Sequence, residues 1–304
     1  MANNMGELKS QSICYFCDSP HVKISRNRRQ IYFGQLRKYF QCDECRAYSL
    51  FPKLNDIEIV DLYSSNYIED VNSEFKMGEQ ITINRFLQLS ESLVKVGDLT
   101  SKSFLDYGCG ATAEVVMLAS KIGYESFGVE VEAGTREEAK KRSNCQIFSP
   151  AEVQTGGVQF DVIFLGDVLE HLCDPLIVLN QIQKILAPDG LLIIQGPLEG
   201  ATTFSNFLLS IKARLLAKSP SNFPPYHVSL ATKESVIRAL KINNLTIHEL
   251  IVTEPLWPAP RFGRKASFVS ITALIFSLAK ILDMTASRIL PKYGTRFFLT
   301  ACKS

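Results

Sequence analysis

The chain has 304 residues, 46% of them hydrophobic and 21% charged, with a formal net charge of +2. This ordinary globular composition excludes a disordered chain, and the length suffices for a sizeable core in one or two domains. The charge is uneven: residues 1 to 53 hold nine Lys/Arg against four Asp/Glu, and residues 256 to 304 hold eight against Asp283 alone.

In chain order, residues 1–53 read as a small ribbon. Cys14-x-x-Cys17 and Cys42-x-x-Cys45 are separated by 24 residues, with aromatic and polar stretches between them. Two such knuckles supply four thiolates to a tetrahedral metal, and a site closed by four cysteines is structural: the expected ion is zinc, with unligated thiols, an iron–sulfur centre or redox dithiols as the alternatives. Eight cysteines with metal-type spacing suggest a reducing compartment, and Met1 to Gln11 is polar, so a cytoplasmic location is expected. Cys109, Cys145, Cys173 and Cys302 read as small apolar residues. Arg26, Arg28, Arg29, Arg37 and Lys38 lie near Tyr32, Phe33 and Tyr39, a combination that suits RNA. A solvated basic face, or a patch for a phosphate-bearing substrate, is the favoured reading.

Residues 54–100 read as a helical linker, with a polar stretch from Glu69 to Glu79 suited to a lid. Residues 101–304 then alternate strand and helix. Strands are expected near 103–106, 125–130, 144–148, 161–165 and 190–195, with helices near 113–122, 133–142 and 175–187. This predicts an α/β fold with a parallel sheet and helices on both faces. A helical insertion is expected near 198–228, then a helix over Thr232–Ile242 and strands over Leu245–Val252 and Gly294–Ala301. The uncharged run Ala266–Ala279 is too short to span a bilayer comfortably. It reads as a buried helix or as one lying on a membrane; the apolar and basic segments 203–217 and 266–290 are the expected peripheral contacts.

The most informative stretch is Ser103 to Ala113. An apolar run ends in Asp106, and Gly108 and Gly110 follow before a helix-like segment. Glycines let the backbone approach a ligand, and an acid after the next strand, Glu130, suits ribose hydroxyls. Gly108, Gly110 and Ala113 fit G-x-G-x-x-A, which NAD-binding chains also use. Asp106 favours S-adenosylmethionine (SAM) instead, because a carboxylate there attracts an ammonium and repels a pyrophosphate.

Residues 160–197 carry Phe160-Asp161, Glu170-His171, Asp174-Pro175, Pro188-Asp189-Gly190 and Pro197. Together with the glycine turn, this set resembles the class I SAM methyltransferases with a Glu-His pair, such as the ubiquinone-biosynthesis O-methyltransferases and the sugar C-methyltransferases. The resemblance covers roughly residues 100 to 253. It implies a doubly wound, mostly parallel, seven-stranded Rossmann-like sheet, with SAM held by Asp106, Gly108, Gly110, Glu130 and Asp167. Where many members have a third glycine, this chain has Thr112.

The ribbon, Leu50-Phe51-Pro52 and Leu62-Tyr63…Tyr67 are similar to bacterial methyltransferases found with polysaccharide and sugar-nucleotide enzymes. The acceptor that this implies is a sugar nucleotide, a glycan or a lipid-linked glycan, methylated at a hydroxyl or carbon. The sugar C-methyltransferases proper are longer, with an additional C-terminal domain. For the chemistry, His171 is the first base candidate because imidazole titrates near neutrality. Glu170 is expected to orient the ring or meet the acceptor, and His227 to line the acceptor pocket. A structural role at a helix start or surface loop is the competing reading for the two histidines. Outside this family, an NAD-dependent oxidoreductase and a non-catalytic zinc-ribbon nucleic-acid binder are the alternatives.

Overall fold

The computed structural model describes residues 12–62, 102–208, 211, 226–255, 271–290 and 292–304. The lid expected over 69–79 lies outside them.

Strands β1 (Val22–Tyr32) and β2 (Gln35–Cys42) form an antiparallel hairpin. Its two turn residues, Phe33 and Gly34, both have positive φ (50° and 68°), the twist that a two-residue hairpin requires. Strand β3 (Tyr48–Phe51) pairs with β2, and helix α1 (Asp56–Leu62) follows. The sheet has a fourth strand, β9 (Ser229–Leu230), which comes from the far part of the chain and pairs with β3. The ribbon is thus joined to the larger unit by backbone hydrogen bonds.

The larger unit is built on a seven-stranded sheet in the order β10-β11-β8-β7-β4-β5-β6. Its first half runs β4 (Ser103–Tyr107), α2 (Glu114–Ile122), β5 (Glu125–Val129), α3 (Ala133–Ser143) and β6 (Gln146–Phe148). The second half runs α4 (Pro150–Thr155), β7 (Phe160–Gly166), a 3-10 turn (Leu169–His171), α5 (Pro175–Ile185) and β8 (Leu186–Pro197). Helix α6 (Lys233–Ile242), strand β10 (Leu245–Thr253), helix α7 (Ile271–Ile289) and strand β11 (Arg296–Lys303) complete it. Strands β4 to β8 are parallel, and β11 is antiparallel to both of its neighbours, β8 and β10.

Alternation along the central strands explains the layers. Leu105, Ile163, Leu165, Leu192 and Ile194 share one core with Leu176, Leu179 and Ile182 of α5. Their sequence neighbours Phe104, Val162, Phe164 and Ile193 share another with Val115 and Ala119 of α2. Both faces of each strand are therefore covered, as parallel strands require. Full burial of each such side chain contributes about 1.5–3 kcal/mol.

The strand expected near 190–195 begins earlier, so that Pro188-Asp189-Gly190 lies inside β8. Phe160 pairs with Leu186 and Val162 with Leu191, so the extra residues of β8 bulge out between two paired positions. Helix α4 and the 3-10 turn were not expected from the sequence, being too short to show a helical period. In the insertion, residues 204–208 are helical, and most of the remainder lies outside the described residues.

Candidate functional site

Strand order reverses between β4 and its two neighbours, β5 and β7. In an open α/β sheet, that reversal leaves a crevice beyond the carboxyl ends of the strands. Asp106 lies near the end of β4, Glu130 just after β5, and Asp167 just after β7. The backbone N–H groups of Gly108 and Cys109 donate to Val129 O at 2.8 and 3.0 Å, which ties the glycine turn to the end of β5.

Gly108 has φ +89°, and a Cβ there would stand 2.7 Å from Val168 Cγ2. A side chain at 108 would therefore meet the exit of β7. Gly110 has φ +62° and open space where a Cβ would be. Its N–H donates to Glu130 Oε2 at 3.1 Å, while Glu130 Oε1 accepts from the N–H groups of Val131 and Glu132 at 2.8 and 3.2 Å. A carboxylate thus borders bare backbone and open space, which fits a ribose beside a peptide edge. Thr112 is exposed and is not among the positive-φ residues; Ala113, at the helix cap, has φ 45° instead. No glycine is needed at 112.

Asp167 departs from its expected surroundings. Its φ is 57°, its N–H donates to Gln195 O at 3.0 Å, and its carboxylate pairs with Arg296 of β11. Arg296 gave no sequence signal, since only the sheet order brings it there.

Glu170, His171 and His227 come together, with ligand atoms all within 4.8 Å of one another. The two imidazoles meet edge-on with centroids 5.0 Å apart. His171 Nδ1 is 2.7 Å from Tyr226 O. A carbonyl only accepts, so Nδ1 carries the proton and Nε2 holds the lone pair. Burial and the neighbouring charge of His227 push the His171 pKa down to about 4. The expectation that His171 titrates near neutrality is therefore revised: it is neutral at physiological pH.

His227 Nδ1 lies 2.9 Å from Glu199 Oε2. Burial opposes a charge on this ring, but the Glu199 hydrogen bond and the nearby carboxylates outweigh it and raise its pKa to about 9. Glu170 is 4% exposed, its Oε2 has no hydrogen-bond partner among the described residues, and burial pushes its pKa up to about 8.

The ribbon forms one wall of this cluster. Tyr39 O–H donates to His227 O at 2.5 Å, and Arg28 donates to Glu199 O at 3.4 Å. Leu50 N–H donates to Val228 O, and Val228 N–H to Glu170 O, so β3, the 226–230 segment and the 3-10 turn are linked in series. Glu199 was missed by sequence reasoning, and Tyr39 and Arg28 were read only as part of a basic, aromatic face: the three stand 28, 188 and 199 residues from His227. The basic face expected on the ribbon is smaller than the sequence suggests. Arg37 is fully buried and pairs with Glu58, and Tyr39 is 5% exposed.

The four ribbon cysteines also converge. Cys14 and Cys45 have sulfurs 3.4 Å apart, Cys17 and Cys42 3.7 Å, and all four lie within 4.8 Å of one another. A tetrahedral zinc with Zn–S bonds of about 2.3 Å needs sulfurs roughly 3.8 Å apart, so the set fits. In both knuckles the residue after the second cysteine, Asp18 or Arg46, is left-handed and donates its N–H to the carbonyl of the first. The other four cysteines lie outside this cluster.

A family model described as "Methyltransferase domain" matches residues 81–250. The chain is 27% identical over 135 residues to the ubiquinone biosynthesis O-methyltransferase of Actinobacillus pleuropneumoniae serotype 7, covering 40% of this chain and 56% of that protein. With the protein of the same name from Vibrio cholerae it is 29% identical over 129 residues, 40% of this chain and 51% of the relative. The chain thus spans about half the length of the curated relatives it matches.

Among solved structures, magnesium protoporphyrin IX methyltransferase from Synechocystis PCC 6803, with bound SAH, superposes with TM-score 0.55 at 14% identity. That match covers 82% of this chain and all of the other. A SAM-dependent methyltransferase from Archaeoglobus fulgidus gives TM-score 0.52 at 15% identity, covering 79% and 100%. At these identities the likeness is one of fold.

Proposed function

Because this chain belongs to the methyltransferase-domain family, matched over more than half its length, we propose that it transfers the methyl group of SAM to a hydroxyl or carbon of an acceptor. The observation that carries the reading is the pair Asp106 and Glu130 at the ends of adjacent parallel strands, with the bare backbone of Gly110 between them. Asp106 and Glu130 are the proposed holders of the amino-acid end and the ribose. SAM, when bound, supplies an electrophilic methyl on sulfonium. His171 Nε2 is the proposed base for the acceptor proton, since its ring is neutral and Tyr226 O fixes its tautomer. His227 is the proposed cation that orients the acceptor, held by Glu199. Zinc in the four-cysteine cluster is the proposed structural ion.

A sugar nucleotide or lipid-linked glycan is the proposed acceptor class. Supporting it is a cavity of about 280 Å³ lined by Arg46, Lys292 and the Lys233–Glu234 pair, a net positive lining, together with Leu198 and Gly200, the neighbours of Glu199. Cations around such a cavity suit phosphates.

Thermal denaturation tests the cofactor: SAM and SAH should raise Tm, and NAD should not. Transfer of labelled methyl from SAM to a panel of sugar nucleotides tests the acceptor. Stabilisation by NAD alone would overturn the methyltransferase reading; labelling of non-phosphorylated phenols in preference would overturn the acceptor class.

A further inference from the structure

Helix α7 is inverted for a helix on a water-facing surface. Its inward face is polar: Ser277, Lys280 and Asp283, three residues apart, are 2, 3 and 0% exposed. Lys280 pairs with Glu254, which also accepts from Thr295 Oγ1 at 2.8 Å. Asp283 accepts the N–H groups of Phe204 and Ser205 at 2.8 Å each, and the Tyr293 hydroxyl at 2.5 Å.

The outward face is apolar. Ile275, Leu278, Leu282 and Ile289 are 45, 51, 53 and 73% exposed. At about 100° per residue these four fall in one sector, half a turn from the buried polar three. Asp283 holds the start of the 204–208 helix against α7, and that short helix adds Phe204 and Phe207, 50 and 58% exposed. A helix that buries a lysine and an aspartate while leaving leucines outside has its apolar face formed for an apolar occupant.

The surrounding charge says what that occupant is. On α7 and just after it, Arg288 and Lys292 are exposed, while the acids that α7 meets, Asp283 and Glu254, are buried. The occupant is apolar and negatively charged. No described helix is long and apolar enough to cross a membrane. We infer that α7 and the 204–208 helix seat the protein on an anionic lipid surface, with the apolar face at the headgroup–acyl boundary. A second copy fits less well, since two basic rims would face each other.

Sedimentation of the full chain with vesicles tests this, using phosphatidylcholine alone and phosphatidylcholine mixed with phosphatidylglycerol. The protein should pellet with the mixed vesicles, less so as salt rises. Leu278→Glu/Leu282→Glu should weaken that binding by about tenfold or more, given the apolar area withdrawn. Phe204→Ser/Phe207→Ser, outside α7, should weaken it as well, and unchanged near-ultraviolet circular dichroism would show that the variants fold. The inference is overturned if the parent stays in the supernatant with both vesicles, or if the variants bind as it does. A dimer that Leu278→Glu/Leu282→Glu dissociates, without lipid binding, would assign the face to a second copy. Loss of stability in that variant, again without lipid binding, would assign it to this chain's own residues 209–225 or 256–270.

Discussion

His171 and His227 stand 5.0 Å apart, the first held neutral and the second cationic near neutral pH. The difference comes from their Nδ1 partners: a neutral carbonyl in one case, a carboxylate in the other. If His171 is the base, His171→Ala should lower turnover by about 10²–10⁴, while the rise in Tm caused by SAM stays as in the parent. The acid limb of the rate profile should lie near pH 4, because below it the lone pair on Nε2 is lost. An alkaline limb should lie near pH 9, where His227 loses its proton and its charge. Glu199→Gln removes the carboxylate that raises this pKa, so the alkaline limb should move to lower pH, toward the ordinary imidazole range. A limb that stays near 9 in the variant would detach His227 from the rate.

Two elements have consequences beyond their own length. The glycine turn after β4 combines φ +89° at Gly108 with a close approach to Val168. Gly108→Ala should destabilise by about 1–2 kcal/mol for the left-handed backbone alone, more with the collision, read from the urea midpoint. It should also weaken SAM binding, because Val168 directly follows Asp167. The ribbon is the second element. Thr232 Oγ1, which caps α6, also donates to Cys45 O at 2.6 Å, and Arg238 of α6 pairs with Glu44. Metal analysis should find about one zinc per chain, lost in Cys14→Ser/Cys42→Ser. Stripping the metal with a chelator should therefore speed hydrogen exchange of the Val228 and Leu230 amides as well as those of the ribbon. Unchanged exchange at 228–230 would show that the ribbon does not hold that segment.

At the scale of the molecule, the ribbon and the larger unit share a sheet, a core and ion pairs. Phe16, Cys14 and Cys45 belong to the same buried cluster as Leu198, Ala231 and Val236. Arg37, fully buried, donates to Pro52 O at 3.2 Å and Tyr32 O at 2.7 Å, and pairs with Glu58 of α1. Arg37→Leu leaves Glu58 buried without its partner and should cost about 3–5 kcal/mol. Because the β3–β9 pairing, the common core and the Arg238–Glu44 pair join the two units, unfolding should remain a single transition shifted to lower denaturant. Two separated transitions would show that ribbon and sheet fold independently.

The parallel core was legible in the sequence because its signals are local: short continuous apolar runs, a glycine turn, and acids at the ends of strands. Asp106, Gly108, Gly110 and Glu130 fall within one βαβ stretch, so sequence spacing alone places them together. The same holds for the paired knuckles, where C-x-x-C sets each half of the cluster. Asp167 was legible as a position, but its partner Arg296 depends on β11 inserting beside β8, a pairing 129 residues apart. The charge states of His171 and His227 were not legible at all. They follow from burial and from Glu199, neither of which leaves a periodic trace. The apolar run in α7 was visible, yet its direction was not. Composition counts leucines and lysines; only docking against Glu254, Phe204 and Tyr293 decides which of them face inward.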